Sequence, residues 1–395
     1  MHEETIKNFW RIIMSREPVE IKKIVYGGLG LGHSEGKTIF LPYTAPGDLV
    51  TFEITADKKK VLFGKLENII EPSPLRIEPD CPIFGICGGC HMLHLSYENE
   101  IEVKKTTALE SLERIGGIKT SIDEFTSCPS RYGYRNHSVF HVDRDGNPGF
   151  IRRESDDIVP FPEGGCLLLP EEMRSAIAAI PASCLVPVSE VRVRMDRFDT
   201  VHFWGLKDHV SPPDVLMEAG GYHFPISPQS FFQVNRLMTD TLIEKTLSLS
   251  SSTPHRLLDL YCGAGFFTLP FSKIAGEAIG IENDRNGHKS ALAAKKLNKI
   301  SNVTFRKGKV EKEIFRIGQT DLLIADPPRS GIPAEAARGI IKLRPPEIIM
   351  VSCEPPTFAR DASRLIESGY SLNKLHLIDM FPGTYHVEMV GLFRR

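Results

Sequence analysis

The sequence carries almost no net charge, few tryptophans and no long apolar run. Lys and Arg number 48 and Asp and Glu 50, which gives a formal net charge of −2. RNA or DNA binding must therefore rest on local basic patches rather than on overall charge. No segment approaches the ~20 apolar residues that span a bilayer, and residues 1–10 lack a basic region followed by an apolar signal core. We expect a cytoplasmic protein without membrane attachment, and a monomer by default.

Cysteine is too scarce for a disulfide framework, since eight thiols are spread over 395 residues. Three are close together in sequence, at Cys81, Cys87 and Cys90. A structural zinc site favours two paired hooks with four ligands, whereas three close cysteines and one distant cysteine are a common iron–sulfur arrangement. Cys166 is the best candidate for the fourth ligand, because its glycine neighbours allow close approach to a cluster. The weaker candidates are Cys128 and Cys184.

Composition and turn signals divide the chain into three predicted domains. Residues 1–74 contain short β-type runs broken by Gly and Pro, which is typical of a small OB-type β-barrel. Residues 75–225 are predicted to form a mixed α+β central domain with the cysteine cluster. Its helix, over residues 95–118, has one apolar face and is expected to pack on the catalytic domain. The barrel strands are predicted at 21–26, 38–41, 48–55 and 61–70.

Residues 226–395 alternate buried strand runs with helical spans. This pattern predicts an α/β domain with a mostly parallel sheet that is covered on both faces. Ligands of such a domain bind at the carboxyl ends of the strands, where the polar motifs of this segment fall. The strands are predicted at 256–260, 278–281, 303–306, 322–325, 348–352, 375–380 and 390–394.

A glycine-rich turn follows the first of these strands. Gly263 and Gly265 would let the backbone approach a ligand. A dinucleotide fingerprint would place a third glycine at 268, where this chain has Thr268. Glu282 ends the next strand, about 20 residues after the glycine turn, and at this sequence spacing an acidic side chain can accept from both ribose hydroxyls. The pattern favours S-adenosyl-L-methionine, with another nucleotide or a degenerate site as the alternatives.

Three motifs at later strand ends indicate the chemistry. Asp326 begins an Asp-Pro-Pro-Arg turn, Cys353 follows a buried strand, and Glu388 begins the last one. A thiolate nucleophile and a carboxylate base suit addition to an electron-poor ring followed by proton removal. The alternatives are a small buried thiol at Cys353, a surface carboxylate at Glu388 and a helix cap at Asp326.

These motifs, taken with others of the C-terminal half, resemble the RNA uracil C5-methyltransferase family. The resemblance implies a class I, Rossmann-like methyltransferase fold, an N-terminal TRAM domain and a 4Fe-4S cluster. It also implies that Gln233, Tyr261, Glu282 and Asp326 contact S-adenosyl-L-methionine. The matching stretches are residues 227–235, the glycine turn at 261–268, and residues 326–329, 351–353, 357–361 and 379–388.

The family resemblance further implies the roles of the catalytic pair and the substrate. Cys353 would add to C6 of a flipped uracil, and Glu388 would remove the C5 proton after methyl transfer. In this family, rRNA-modifying and archaeal members carry the cluster and the TRAM domain, whereas the bacterial tRNA enzyme lacks both. We therefore expect RNA, with 23S rRNA favoured over the T-loop of tRNA, and not DNA.

Two residues depart from the family pattern. Phe266 stands where a small polar residue is common, and Lys309 stands where an Asp would accept a hydrogen bond from the adenine amino group. Lysine only donates, so Glu311 or a backbone carbonyl would have to replace that acceptor. An RNA-binding protein with a degenerate methyltransferase domain is the corresponding rival of another class. Methylation of an amine is disfavoured because it needs no thiol.

Several polar and aromatic residues are further candidates for RNA contact. The hairpin at 57–60 carries three lysines, which suit either an RNA phosphate or a solvated turn. Phe231 and Phe232 would stack on a flipped base, with core packing expected for one of them. The remaining candidates, which equally suit a turn that enters a strand, are Tyr132, Tyr134, Arg135 and Asn136.

Overall fold

The computed structural model describes residues 17–186, 189–210, 212–250 and 253–395. It has two compact units. One comprises Met1–Thr107, Arg152–Ser155 and Gly383–Tyr385, and the other comprises Ala108–Ile151, Asp156–Pro382 and His386–Arg395. The predicted barrel domain starts at residue 1, so its residues 1–16 lie outside the described part. Among the described residues, no helix is both long and apolar enough to cross a membrane.

The first unit is built on a six-stranded sheet. Its order is β1-β5-β6-β4-β3-β2, with only the β4–β6 pair parallel. β1 also contacts β3, so the sheet curls toward a barrel around a core that includes Ile39, Val50 and Leu62. The strands are β1 (Val19–Glu20), β2 (Lys23–Val25), β3 (Leu29–Ser34), β4 (Lys37–Pro42), β5 (Leu49–Lys58) and β6 (Val61–Glu71).

Two differences from the predicted barrel strands have physical causes. Of the strand predicted at 21–26, only Lys23–Val25 forms a strand, β2, and the Ile21 amide before it donates to the carbonyl of Asp48. Strand β3 was not among the predicted strands. Its inward positions include Gly30 and Gly32, so the usual alternation of apolar and polar side chains is missing.

Helix α1 (Tyr97–Gly116) follows a stretch of turns and matches the helix expected at 95–118 within a few residues. Ala108 and Leu112 on this helix belong to the same apolar cluster as Leu258, Ile348 and other residues of the C-terminal sheet. Gly116 and Gly117 end the helix, and Gly117 has a left-handed φ of 66°.

An antiparallel sheet and a hairpin form the middle of the second unit. The sheet order is β10-β9-β8-β11-β12, and β13 pairs only with β14. The elements are β7 (Glu124–Thr126), β8 (His137–Val142), β9 (Pro148–Ile151), β10 (Ile158–Pro160), α2 (Glu171–Ala178), α3 (Ala182–Leu185), β11 (Glu190–Met195), β12 (Val201–Trp204), β13 (Val215–Ala219) and β14 (Tyr222–Ile226).

The C-terminal part contains an eight-stranded sheet of order β17-β16-β15-β18-β19-β21-β20-β7. The five strands β15 to β19 run parallel to one another, and β21 is antiparallel to both of its neighbours. The elements are α4 (Thr239–Leu249), β15 (Arg256–Leu260), α5 (Thr268–Phe271), β16 (Glu277–Glu282), α6 (Arg285–Leu297), β17 (Val303–Lys307), α7 (Val310–Glu313), a 3-10 helix (Ile314–Arg316), β18 (Leu322–Ala325), α8 (Ala334–Leu343), β19 (Glu347–Ser352), α9 (Pro355–Glu367), β20 (Ser371–Ile378) and β21 (Glu388–Arg394).

The predicted α/β class of this sheet is confirmed. All seven strands expected from the sequence are present, and β15 and β18 have the predicted bounds. β20 starts at Ser371 rather than 375, because its first residues are largely exposed and polar and so do not read as a buried run. The parallel strands end at one edge of the sheet, which brings together the residues that follow each of them.

Candidate active site

The glycine turn after β15 leaves the backbone open on one side. Tyr261, Gly263 and Gly265 have φ values of 63°, 54° and 87°, all in the left-handed region. A Cβ on Gly265 would lie 2.8 Å from the ring of Phe305, so close packing requires glycine there. A Cβ on Gly263 would meet no atom within 4 Å, which leaves space for a ligand against the backbone.

Glu282 is held beside this turn by two backbone amides. Its Oε2 accepts from the Gly263 amide at 2.8 Å, and its Oε1 accepts from the Asp284 amide at 2.5 Å. Asp284 in turn caps helix α6 by accepting from the Gly287 amide at 2.6 Å. The carboxylate therefore has a set orientation next to the open backbone at Gly263.

Thr268, which replaces the third glycine of a dinucleotide fingerprint, holds a buried acid. Its hydroxyl donates to Asp259 Oδ2 at 2.5 Å, and Asp259 is 1% exposed. Burial raises the pKa of Asp259 to about 8. Thr268 is thus engaged in a buried hydrogen bond at the position where a dinucleotide fingerprint has its third glycine.

The segment that contains Gln233 is fastened to the sheet of β8 to β12. Asn136 Nδ2 donates to the Gln233 carbonyl at 3.2 Å, and Arg194 Nη2 donates to the Ser230 carbonyl at 3.0 Å. The structure also separates the two adjacent phenylalanines. Phe231 is 68% exposed, whereas Phe232 is 4% exposed and packs edge-on against Phe266. Only Phe231 stays accessible for a base.

Two of the proposed RNA-contact residues are core residues instead. Tyr134 is 1% exposed, and its hydroxyl donates to the Pro382 carbonyl at 3.0 Å. Asn136 is buried by its bond to Gln233. The alternative of a turn that enters a strand is therefore correct for this pair, while Tyr132 and Arg135 are half-buried.

Cys353 and Glu388 are brought together by the pairing of β19 with β21. Ser352 is opposite Met389 in this antiparallel register, so the next residue outward on each strand is Cys353 or Glu388. Glu388 is 4% exposed, and Asp326 follows the neighbouring strand β18. The charges of Glu388 and Asp326 both act on the Cys353 thiol.

Burial and like charge dominate the electrostatics of this cluster. Burial first, then Glu388 and Asp326, raise the pKa of Cys353 to about 12, although Arg329 lowers it. Burial also raises the pKa of Asp326 to about 7 and, with Asp326 and Glu354, raises that of Glu388 well above its usual value. The two neighbouring acids therefore titrate as a pair, and one of them retains a proton when the other ionises.

Arg329, Glu354 and His386 lie close to one another beside Cys353 and Glu388, and none of the three was among the predicted site residues. Glu354 Oε1 lies 3.5 Å from His386 Nδ1 and 3.7 Å from Arg329 Nε. Arg329 Nη2 lies 3.3 Å from His386 Nε2. The sequence positions of Glu354 and His386, next to Cys353 and two residues before Glu388, were the available signal. Of these three, Arg329 lowers the pKa of the Cys353 thiol, although its side chain is largely exposed.

The two departures from the family pattern have structural explanations. Phe266 is buried and packs on Phe232 and Phe267, with ring centroids 5.7 Å and 4.9 Å apart. Lys309 is exposed and precedes helix α7. Glu311 is close enough to Tyr261 that, after burial, its charge is the largest cause of the raised Tyr261 pKa. An acidic acceptor is thus present near the turn, although not at position 309.

The three clustered cysteines lie among turns of the first unit. The Gly89 amide donates to Cys87 Sγ at 3.4 Å, and burial, with a smaller effect of Cys81, raises the pKa of Cys87. Iron–sulfur clusters are held by Cys thiolates, whose sulfurs accept hydrogen bonds from the protein. Within the described ranges, however, no three His, Cys, Asp or Glu side chains converge closely enough to hold a metal ion. The predicted cluster site is therefore not formed in this arrangement.

Comparison with known proteins identifies the family. A model of tRNA (Uracil-5-)-methyltransferase matches residues 214–395, and a model of the TRAM domain of tRNA (uracil(54)-C(5))-methyltransferase matches residues 18–75. An uncharacterized RNA methyltransferase of Aquifex aeolicus is 32% identical over 416 residues, covering 94% of this chain and 97% of its own. These matches place the chain among the RNA methyltransferases. Within that class, it belongs to the RNA uracil C5-methyltransferase family.

Two further relatives extend this comparison. The 23S rRNA (uracil(1939)-C(5))-methyltransferase of Aeromonas hydrophila is 29% identical over 415 residues, with 93% of each chain covered. The Pyrococcus abyssi tRNA (uracil-54, C5)-methyltransferase, solved with S-adenosyl-L-homocysteine, superposes with a TM-score of 0.75 at 22% identity, over 95% of this chain and 100% of that chain. The expected combination of a Rossmann-like methyltransferase fold and a TRAM-type β-domain is therefore confirmed.

The charges around Cys353 predict how its acidity responds to substitution. Glu388→Gln removes a neighbouring negative charge, so we expect the pKa of the thiol to fall by about one unit or more. Arg329→Gln removes a positive charge and should raise it. The measurement is the pH profile of iodoacetamide alkylation, quantified on the peptide that contains Cys353. A lower pKa moves the rise in alkylation to lower pH.

Glu367→Gln is the matched control, because Glu367 is an exposed carboxylate of helix α9 and is not among the charges that act on Cys353. Its profile should coincide with that of the unaltered protein. Equal profiles for Glu388→Gln and Glu367→Gln would contradict the placement of Glu388 beside the thiol.

Proposed function

We propose that this protein methylates C5 of a uracil in 23S rRNA, with S-adenosyl-L-methionine as methyl donor. The observation that carries the proposal is the meeting of Cys353 and Glu388 beside Asp326 at one edge of the sheet. The match to the Aeromonas 23S rRNA enzyme over 93% of both chains supports rRNA as the substrate. The T-loop of tRNA is the second candidate, favoured by the descriptions of both family models.

The residues around the glycine turn suit the methyl donor. Glu282 would accept hydrogen bonds from both ribose hydroxyls, and the backbone at Gly263 would lie against the ligand. Gln233 and Tyr261 would complete the site, with Asp326 toward the substrate. Glu311, near Tyr261, would supply the acceptor for the adenine amino group that Lys309 lacks. This argues against a degenerate methyltransferase domain.

The chemistry starts with the thiolate of Cys353, which adds to C6 of the flipped uracil and makes an enolate at C5 and O4. S-adenosyl-L-methionine, when bound, supplies the electrophilic methyl group and a sulfonium charge that lowers the pKa of nearby acids. C5 then takes the methyl group, and the bond from the sulfur to the methyl group would break to leave S-adenosyl-L-homocysteine as a neutral thioether. Glu388 removes the C5 proton, and elimination breaks the bond from Cys353 to C6 and returns the thiolate.

The raised pKa values suit this sequence of proton transfers. A thiol with a pKa of about 12 is neutral at rest, which protects it from unwanted alkylation. Its proton must leave before addition, and Asp326, whose pKa is raised to about 7, is partly ionised at neutral pH and can accept it. Glu388, whose pKa is also raised, is a stronger base than an ordinary carboxylate once it is ionised, and so is suited to take a carbon-bound proton.

RNA contact at this site would use the exposed aromatic ring of the Gln233 segment. Phe231 projects into solvent at 68% exposure, two residues from Gln233. A stacked base on an aromatic ring is worth about 1–3 kcal/mol. We infer that Phe231 stacks on the flipped uracil or on its neighbour, while the buried Phe232 maintains the packing under it.

We also propose a 4Fe-4S cluster on Cys81, Cys87, Cys90 and Cys166, with a structural role. Two observations support thiolate ligation in this segment. Cys81 is close enough to affect the pKa of Cys87, and the Gly89 amide donates a hydrogen bond to Cys87 Sγ. Thiols must lose their protons and shift when metal binds, so cluster assembly would complete the arrangement. No step of the methylation requires an electron, and the reaction is independent of the redox state of the cluster.

The function is tested by transfer of labelled methyl from S-adenosyl-L-methionine to unmodified 23S rRNA and tRNA transcripts, with mass-spectrometric mapping of the product. We expect 5-methyluridine at a defined site in the rRNA transcript alone. Label in tRNA alone would move the substrate to the second candidate. No label in either transcript, with binding of RNA retained, would support the rival of a degenerate methyltransferase domain.

Substitution of the catalytic pair should separate the two halves of the reaction. Cys353→Ala should abolish turnover and leave RNA affinity unchanged, because the first covalent bond cannot form. Glu388→Gln should slow release by about 10²- to 10⁴-fold and accumulate a protein–RNA adduct stable to denaturing gels. Cys184→Ala is the matched control for loss of a thiol and should turn over normally. Full turnover by Cys353→Ala would remove Cys353 from the mechanism.

The cluster proposal is tested by iron and sulfide analysis of protein purified and reconstituted without oxygen. We expect four irons per chain, as the proposed cluster requires, and their loss on Cys87→Ser or Cys166→Ser. Cys128→Ser and Cys184→Ser should retain the metal. Protein that remains free of iron and sulfide after reconstitution would reject the cluster, and loss of iron only in Cys128→Ser or Cys184→Ser would move the fourth ligand.

A further inference from the structure

The first unit contains a cavity to which no role has been assigned. Its volume is about 400 Å³, within the range of ligand pockets. Side chains from the end of β4, from β6, from the turns before α1 and from Arg152–Ser155 line it. Among the described residues, none of the predicted catalytic, cofactor or cysteine-ligand residues lines this cavity.

The wall of this cavity carries surplus positive charge. Lys65, Arg76, Arg152 and Arg153 line it together with one acid, Glu154. Arg76 is neutralised, since its Nε and Nη2 donate to the two carboxylate oxygens of Asp48 at 2.8 Å and 2.7 Å. Lys65, Arg152 and Arg153 form no ion pair within the described ranges, which leaves the cavity suited to an anion.

Tyr43, at the end of β4, has a strained backbone. Its φ of 61° is left-handed, which is a genuine outlier for a bulky side chain. The strain is supported by its surroundings, because Arg76 Nη2 donates to the Tyr43 carbonyl at 2.7 Å and His94 Nε2 lies 3.1 Å from the Thr44 carbonyl. Strain of this kind clusters at ligand sites. Here it directs the Tyr43 ring to the cavity wall.

Arg153 and Phe84 complete an aromatic and cationic wall around this ring. The guanidinium of Arg153 lies 4.9 Å over the Tyr43 ring, and Phe84 meets the same ring edge-on at 5.0 Å. Rings of this kind, beside cations, form the stacking platforms of single-stranded RNA sites.

The polar atoms of this wall lie together. The Tyr43 hydroxyl and Arg153 Nη1 are buried, and burial raises the pKa of Tyr43 against the smaller effect of a side-chain interaction with Arg153, which lowers it. A guanidinium has five N–H donors and a phenol keeps its own O–H, so both groups can still donate to the acceptor oxygens of a ligand. Such donors beside an aromatic wall and surplus positive charge match a phosphodiester with its attached base.

We propose that this cavity binds one nucleotide of the RNA substrate, at a subsite separate from the one that holds the flipped uracil. A phosphate oxygen accepts from Arg153 and the Tyr43 hydroxyl, Lys65 and Arg152 add charge, and the base lies against the wall of Tyr43 and Phe84. The inference rests on the proposed function, because the ligand is taken to be the RNA that is methylated. The cavity contributes RNA affinity and no chemistry.

The test compares full-length variants for RNA affinity at several salt concentrations, for kcat at saturating RNA and for affinity toward S-adenosyl-L-methionine. Arg153→Gln should weaken RNA binding about 10-fold and reduce the salt slope by about one, because one phosphate contact is lost. Tyr43→Phe should weaken binding less and leave the slope unchanged. The kcat and the affinity for the methyl donor should remain at their original values.

Lys22→Gln is the matched control, since Lys22 is an exposed cation of the same unit and does not line the cavity. It should bind RNA like the unaltered protein. Equal RNA affinity and salt slope for Arg153→Gln and Lys22→Gln would overturn the subsite. Because binding is measured directly, this failure is distinct from absence of methyl transfer by the unaltered protein, which would reject the proposed function instead.

Two further measurements decide the location and the source of the phosphate. Photo-crosslinking of RNA that contains 4-thiouridine should label a peptide with Tyr43 or Phe84 in the unaltered protein. If neither residue lies in any crosslinked peptide, the proposal is overturned. This measurement does not depend on whether Arg153→Gln folds. Uridine monophosphate is the second probe. If the unaltered protein binds it, Arg153→Gln does not, and both bind RNA equally, the cavity serves a free nucleotide and the proposal is wrong.

Discussion

Antiparallel strand β21 starts where parallel strand β19 ends, and the pairing between them determines the chemistry of the sheet edge. Ser352 is opposite Met389, so Cys353, just after the end of β19, and Glu388, at the start of β21, are neighbours at the sheet edge. Side chains alternate between faces, so a slip of one residue would carry Glu388 to the other face of the sheet. The buried runs of both strands prevent such a slip, because it would also exchange their packed faces.

The same pairing concentrates acids where water is scarce. Asp326, Glu354 and Glu388 lie around one thiol, and their burial holds the cluster in its less charged forms. Arg329 offsets this charge only in part, since it is largely exposed and therefore screened. This arrangement supports the proposed methyl donor, because a sulfonium charge beside these acids would lower their pKa values and so stabilise their ionised forms.

The sequence was most informative where one physical rule governed both pattern and structure. Parallel strands are continuous apolar runs, so their ends, and with them Asp326 and Cys353, were found within one or two residues. Strand β3 was missed because its inward residues include glycines, and the different exposures of Phe231 and Phe232 follow from tertiary packing alone. The contacts among Arg329, Glu354 and His386 join distant segments, which local spacing does not encode.

The cavity at Tyr43 was beyond sequence reasoning for a related reason. Its residues come from four separated segments, and the left-handed φ of a tyrosine has no sequence signal. Folded chains generally satisfy buried donors and avoid strain in bulky residues, and exceptions concentrate at functional sites. Tyr43 departs from the second rule, and Arg76, which is itself held by Asp48, donates to its carbonyl and keeps it there. A bulky residue that its surroundings hold in a strained conformation at the wall of a cavity supports the proposal of a ligand site, because strain without a function would be relieved by a small local shift.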